Sequence, residues 1–415
     1  MTLRVLYLTA ANLIQPQVGM DMVSNEHWRE LVHTPGLQLQ AISVAPGIPG
    51  HPKAGRHLVH GHEVEVFVGD QARPMPKLAR LWDKLQMVCT RAVPVMAYSF
   101  RSRDAARRIQ DILHTGQHEV VVIDHFYTLA NLPLHALSDS PARWIYVSHD
   151  AMSPHILEMA ASKSSALARA YFRMEAWRMH LGEQKLFRLA HRIVHLSEFE
   201  RLEAAPRDAR HLALLPLLQA PTAGGLSADD LRAGDAARAA AHRGAVFIGS
   251  PKHPPNAHAL AWLLRDLAPA MLRLAPGLQL HLVGKGTEAL ADQAPPNVRC
   301  WGFVSDHVLQ QLLAGCLCAL SPVVIGRGIK VKVLDAVAAG CPVLATEESL
   351  RGLEPLQLQA GMALDKPDEL ALCLREWSQN PDIPHRQRET IQAAWRRFCD
   401  MRQGALGRLV RDSGI

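Results

Sequence analysis

Short apolar runs recur along the 415-residue chain, each closed by glycine, proline or a polar turn. They are too short and too uniformly apolar for helices, and this predicts buried strands, mostly parallel. In the first half they are Leu3 to Leu8, Leu39 to Val44, Val64 to Val68, Val120 to Ile123, Trp144 to Ser148 and Arg192 to Ser197. In the second they are Ala245 to Ile248, Leu278 to Val283, Val298 to Val304, Leu317 to Leu320 and Val343 to Ala345. Helical spacing predicts helices near Asp21 to Leu31, Tyr98 to Leu113, Lys163 to His191, Ile329 to Ala339, Pro367 to Trp377 and Arg386 to Leu409, with another helix capped near Asn256. Repeated strand–helix order predicts an α/β fold with doubly wound sheets. Residues Gln219 to Arg243 are rich in alanine, glycine, aspartate and threonine and lack strong apolar periodicity, which predicts an interdomain linker. The expected division is 1–218, a linker 219–243, a second domain 244–384 and a last helix 385–415.

The stretch from Ser321 to Thr346 holds a glycine turn, two lysines and an acid between two apolar runs. Gly326 and Gly328 bracket Arg327, which lets backbone N–H groups turn towards a ligand, and Lys330 and Lys332 add positive charge. The helix that follows points its positive end at the turn, so the parts suit a diphosphate, with Asp335 in reach of a ribose or sugar hydroxyl. An ordinary βαβ unit with structural glycines and solvated lysines has the same spacing. Gly249 and Gly284 repeat the strand-then-glycine design, and Lys252 lies in the polar turn after Gly249. Gly19 closes the polar loop after the first strand. His125 and His149 follow strand C-termini, the edge at which open α/β sheets bind ligands. An imidazole there can exchange a proton with an acceptor hydroxyl, and a structural histidine is the alternative.

The order Gly326-x-Gly328-x-Lys330-x-Lys332-Val-Leu-Asp335, continuing through Gly340 and Pro342 to Thr346, resembles the donor-site signature of family 4 glycosyltransferases. The resemblance implies the GT-B fold: two Rossmann-like domains facing a cleft, with C-terminal helices crossing back to the first domain. It also implies transfer of a hexose, with retention, from a nucleotide diphosphate sugar to a glycan or lipid-linked acceptor in surface polysaccharide or glycoconjugate synthesis. Members resemble one another in two acids with seven residues between them. Asp335 matches the second, which touches the ribose, whereas Arg327 stands where the first, which touches the sugar, would be. A branch with a Gly-x-Gly turn and basic residues also lacks that first acid. By the same resemblance Lys330, Lys332 and the helix N-terminus stabilise the leaving diphosphate, His149 contacts sugar or acceptor, and Gly19, Gly249, Lys252 and Gly284 line the substrates. Ser197 to Glu200 resembles the turn that closes the first domain. The chain has no Asp-x-Asp motif, and neither metal nor cofactor is expected.

Composition narrows the partners. With 48% hydrophobic and 20% charged residues the chain can fill two cores. Its seven cysteines form no Cys-x-x-Cys pair, which argues against a zinc ribbon and a secreted disulfide framework. A chain that begins directly in a strand, with no basic leader and no run of 18 apolar residues, is expected to be cytoplasmic. Net charge is +6 and the aromatic content is 5%, with no basic–aromatic interleaving, so nucleic acid is not an expected partner. Between Arg73 and Arg108 nine basic residues face two acids, with Leu78, Leu81, Trp82 and Leu85 at helical spacing. That pattern suits a basic amphipathic helix on an anionic membrane face. A non-catalytic nucleotide-sugar-binding scaffold, and an epimerase or phosphorylase on the same architecture, remain alternatives.

Overall fold

The computed structural model describes residues 2–16, 19–47, 53–72, 93–133, 140–161, 163–205, 207–216, 228–326 and 328–413. The chain forms two compact units, Met1–Leu217 with Arg402–Ile415, and Leu218–Met401. Most of the basic stretch expected on a membrane (73–92), part of the expected linker (219–227) and Arg327 lie outside the described residues.

The first unit is built on β1 (Leu3–Thr9), β2 (Leu37–Ala45), β3 (Gly55–Val59), β4 (His62–Val68), β5 (Val120–Asp124), β6 (Arg143–Ser148), β7 (Arg192–His195) and β8 (His211–Ala213). They pair in the order β3-β4-β2-β1-β5-β6-β7-β8, parallel except for the β3–β4 hairpin. The winding therefore reverses between β1 and β5. Helices α1 (Gly19–Val32), α2 (Arg103–His114), α3 (Met152–Ala161), α4 (Ala166–Leu189) and α5 (Glu198–Ala204) flank the sheet. Residues expected as one helix from Tyr98 divide into a 3₁₀ segment, Val95–Phe100, and α2. Ser102, extended between them, accepts the Ala105 N–H and starts α2 afresh.

The second unit has β9 (Gly244–Ile248), β10 (Gln279–Val283), β11 (Val298–Gly302), β12 (Cys318–Ser321) and β13 (Val343–Ala345), all parallel in the order β11-β10-β9-β12-β13. Its helices are α6 (Ala228–Ala241), α7 (Pro254–Trp262), α8 (Ala268–Leu274), α9 (Asp306–Gly315), α10 (Val331–Ala338), α11 (Glu347–Leu350) and α12 (Pro367–Gln379), with a π turn, Leu263–Leu267, joining α7 to α8. Alternation along β9 sorts the core: Ala245 and Phe247 pack with Trp262 and Leu280, and Val246 packs on the other face with Ala237, Ala241 and Leu312.

Two expectations change here. Residues 228–241, read as linker, form α6, because its buried seam consists of small residues that carry no bulky apolar period. Gly234 sits against the His307 ring, Ala237 and Ala241 are fully buried, and α9 lies alongside. The helix expected to be capped near Asn256 starts at Pro254, and Pro255 also lies in its first turn. Proline loses no helical bond there, so Asn256 falls inside α7.

The single expected C-terminal helix is two, α13 (Asp382–Arg402) and α14 (Ala405–Ser413), broken at Gly404 with φ +68°. α14 packs in the first unit against α1, where a Cβ on Gly407 would fall 2.0 Å from Thr34 Oγ1. Arg402, 4% exposed, donates to both Glu30 oxygens at 2.8 and 3.0 Å and to the Leu215 carbonyl at 2.7 Å, while Glu30 accepts the Leu406 N–H. Glu30→Ala would strand that buried guanidinium. It is expected to lower unfolding stability by about 3 kcal/mol, read by urea denaturation followed by circular dichroism.

Candidate functional site

Each unit carries a cluster of chemical groups at the C-terminal edge of its sheet, over the place where strand order reverses. In the second unit that place lies between β9 and β12. Gly249 follows β9, Gly284 follows β10, and Gly326 and Gly328 follow β12. Their spacing is steric. A Cβ on Gly249 would meet the Asn256 side chain at 2.8 Å, one on Gly284 the Gly249 carbonyl oxygen at 2.6 Å, and one on Gly326 the Pro255 ring at 2.9 Å. Gly284, Gly326 and Gly328 also have positive φ, at +139°, +99° and +74°. Three loops thus converge on the start of α7. Ser250 Oγ donates to the Lys285 carbonyl at 2.7 Å and ties two of them together.

The lysines after the turn divide their work. Lys330 Nζ donates to the Gly326 and Gly328 carbonyls at 3.0 and 2.9 Å and stands 3.8 Å from Glu348, so it knits the loop. Lys332, 44% exposed, pairs at 2.9 Å with Asp335, which is 11% exposed. Lys330 occupies the N-cap position of α10 without a side-chain cap, so the helix presents its positive end at the glycine turn. Arg388 ties the end of α9 to the turn after α10, donating to the carbonyls of Leu313, Cys316 and Gly340. Ser349, absent from the sequence reading, clamps the loop: its Oγ donates to the Ser321 carbonyl and accepts from the Val323 N–H, and Thr346 Oγ1 donates to the Val323 carbonyl. Lys252 is exposed in the turn between β9 and α7.

In the first unit the reversal lies between β1 and β5. Gly19 opens α1 after the β1 loop, and Asp21 in its first turn accepts the Asn12 N–H at 2.8 Å. The centre of this site is Asp124, fully buried at the end of β5. His149 Nε2 lies 2.5 Å from its Oδ1, His27 Nδ1 lies 3.2 Å from its Oδ2, and the Tyr7 hydroxyl donates to Oδ2. Burial would raise the Asp124 pKa, but the adjacent His149 and His27 outweigh it and hold the carboxyl well below its ordinary range. Burial, then Asp124, push the Tyr7 phenol up. The ionised Asp124 carboxylate accepts the hydrogen bond that His149 Nε2–H donates, which in a neutral ring leaves Nδ1 as the acceptor nitrogen.

His125, the other histidine at a strand end, has a different task. Its φ is +74°, its Nδ1 accepts the Tyr127 N–H, and its ring stands edge-on to His149 with centroids 5.0 Å apart. Burial first, then His149, keep its pKa well below the usual histidine range. The sequence reading missed Asp124, His27 and Tyr7 as a set. The available signal was an acid ending the apolar run Val120-Val-Val-Ile123. The ligand atoms of His27, Asp124 and His149 lie within 4.8 Å of one another, an arrangement that could also hold a metal ion.

Such paired clusters on two doubly wound sheets define the GT-B type of architecture. Residues 242–380 match the family described as Glycosyl transferases group 1, so the second unit carries a glycosyltransferase domain. Over the whole chain the fold is similar to that of solved structures, three of which serve as examples. The Anabaena protein HepE in complex with UDP and glucose has a TM-score of 0.60 at 14% identity, over 99% of each chain. Sucrose-phosphate synthase from Thermosynechococcus elongatus gives 0.64 at 15%, over 99% of this chain and 98% of that one. The catalytic domain of starch synthase IV from Arabidopsis thaliana, bound to ADP and acarbose, gives 0.63 at 13%, over 99% and 100%. No curated protein matches the chain by sequence. The family match lies within the second unit, and the likeness over the whole chain is one of GT-B fold.

Two outcomes follow from the geometry. Gly326→Ala combines a disfavoured backbone angle with a contact to Pro255, and a loss of about 1–2 kcal/mol in thermal unfolding is expected. The depressed Asp124 pKa contributes stability that is present above the unfolded value of about 3.9 and is lost as pH falls through the folded value. The difference in melting temperature between wild type and Asp124→Asn should therefore be constant at neutral pH and shrink below about pH 4.

Proposed function

We propose that this protein transfers a hexose, with retention, from a nucleotide diphosphate sugar to a hydroxyl of a glycan or lipid-linked acceptor, in surface polysaccharide or glycoconjugate synthesis in the cytoplasm. The observation that carries this is the meeting of the Gly249, Gly284 and Gly326 loops at one sheet reversal, beside the uncapped start of α10. Backbone N–H groups, a helix N-terminus and a lysine together form a cradle for a dianionic leaving group. Lys332 leaves Asp335 for the diphosphate as donor binds, and Asp335 then accepts a ribose hydroxyl. Lys330 keeps Gly326 and Gly328 in the conformation that leaves room for phosphate oxygens. Lys252 adds charge beside Gly249, and Arg327, which lies between Gly326 and Gly328 in the sequence, is assigned to the same donor.

His149, held through Nε2 by Asp124, offers Nδ1 to a hydroxyl of the sugar or acceptor, and Gly19 opens the backbone beside them. Proton transfer through an oriented imidazole contributes roughly 10²–10⁴-fold. The three similar structures include one with UDP and glucose and one with ADP, which supports a nucleoside diphosphate as the leaving group. The alternative is a non-catalytic nucleotide-sugar-binding subunit. Asp335 paired with Lys332, and Arg327 in place of a carboxylate, favour it.

Thermal unfolding with UDP, GDP, ADP and their sugars tests the donor site. A ligand at a hundredfold excess over its dissociation constant stabilises the protein by about 2.7 kcal/mol, and one nucleotide is expected to stand out. Lys332→Ala is expected to lower kcat/KM for the donor about 100-fold with an unchanged melting temperature; unaltered kinetics would remove Lys332 from the phosphate site. Binding without turnover in any donor–acceptor combination would favour the scaffold.

A further inference from the structure

The long helix α4 leaves an apolar stripe uncovered. Leu167 is 83% exposed, Tyr171 39%, Met174 41% and Trp177 50%, and Ala170 among them is exposed as well. At about 100° per residue these five fall within an arc of about 120°, on the side away from the buried Ala176, Met179 and Leu186. α3 packs beside α4 and adds Leu157, 48% exposed. Four large side chains in three turns exceed the single apolar residues that a soluble surface scatters.

Charge distinguishes the occupant. Arg173, His180, Lys185 and Arg188 are exposed on α4, whereas its two carboxylates, Glu175 and Glu183, are buried. Glu175 accepts the Met96 N–H at 3.1 Å and lies 3.4 Å from Arg178; Glu183 accepts the Met152 N–H at 2.9 Å, and burial raises its pKa to about 7. The outer face of α4 is thus cationic, with Lys185 and Arg188 continuing the line of the apolar stripe towards the C-terminal end. On α3 and α4 the one exposed carboxylate among the described residues is Glu158. A tryptophan, a tyrosine and aliphatic side chains beside unbalanced cations match the interface of an anionic bilayer, where the rings sit at headgroup depth and the cations meet phosphates. No helix among the described residues is long and apolar enough to cross a membrane, so the contact is interfacial.

We propose that the exposed face of α4, from Leu167 to Arg188, is a docking surface for an anionic lipid membrane. This face belongs to a different part of the sequence from the stretch 73–108, and the proposal does not depend on the transferase reaction. The test is cosedimentation of the whole protein with phosphatidylcholine vesicles, with and without phosphatidylglycerol, at low and high salt. Wild type is expected to sediment with the anionic vesicles at low salt and to be released by salt. Leu167→Asp with Trp177→Asp is expected to reduce the bound fraction about tenfold at an unchanged melting temperature, since both positions face solvent. A second variant, Arg173→Glu with Lys185→Glu and Arg188→Glu, is expected to abolish binding to anionic vesicles; it reads the surface even if the first variant unfolds. Wild type that stays in the supernatant at low salt would overturn the proposal, as would variants that bind like wild type. A concentration-dependent dimer in gel filtration that the apolar variant dissolves, without vesicle binding, would assign the stripe to a second copy of the chain and overturn it as well.

Discussion

A parallel sheet that winds outwards in both directions leaves a gap above the two strands where the winding reverses, because the connecting helices depart to opposite faces. Both units of this chain are built that way, with reversals at β1 and β5 and at β9 and β12. The gap is where backbone ends, helix N-termini and strand-terminal side chains gather without a helix to cover them. In the second unit glycine lets three loops approach within side-chain distance of one another. In the first unit a buried carboxylate gathers two histidines and a tyrosine. One topological constraint thus yields two different environments, one of glycine turns beside a helix N-terminus and one of a buried carboxylate with histidines and a tyrosine.

Neither environment is held by its own residues alone. Lys330 hydrogen-bonds across the glycine turn, Ser349 and Thr346 clamp the chain leaving β12, and Arg388 ties the turn after α10 to the end of α9. In the first unit the Asp124 carboxylate is ionised despite complete burial because its neighbours supply compensating polar contacts. Removing the carboxylate would release the ring of His149 as well as its preferred tautomer.

The sheets were legible because buried parallel strands are continuous apolar runs. Val120 to Ile123 and Ala245 to Ile248 stand out without any knowledge of their neighbours, and β13 falls on Val343–Ala345 as expected. Loop glycines 249, 284, 326 and 328 were legible by their position after such runs. His149 was legible as a strand-end residue, but its partners were not, since Tyr7, His27 and Asp124 meet it only through sheet order and each looks ordinary in its own segment. Helix α6 was hidden because a seam of Gly234, Ala237 and Ala241 carries a period of size, not of hydrophobicity. Ser349 is one serine among many until α11 brings it under the β12 loop.

The central claim is that the glycine cradle holds a diphosphate that leaves during sugar transfer. Incubation of the purified protein with a panel of nucleotide diphosphate hexoses and glycan or lipid-linked acceptors, followed by ¹H and ³¹P NMR, tests this most directly. The account predicts release of one nucleoside diphosphate and a glycosylated product with the donor's anomeric configuration. A nucleotide sugar that binds and is recovered intact with every acceptor, or a product of inverted configuration, would contradict it.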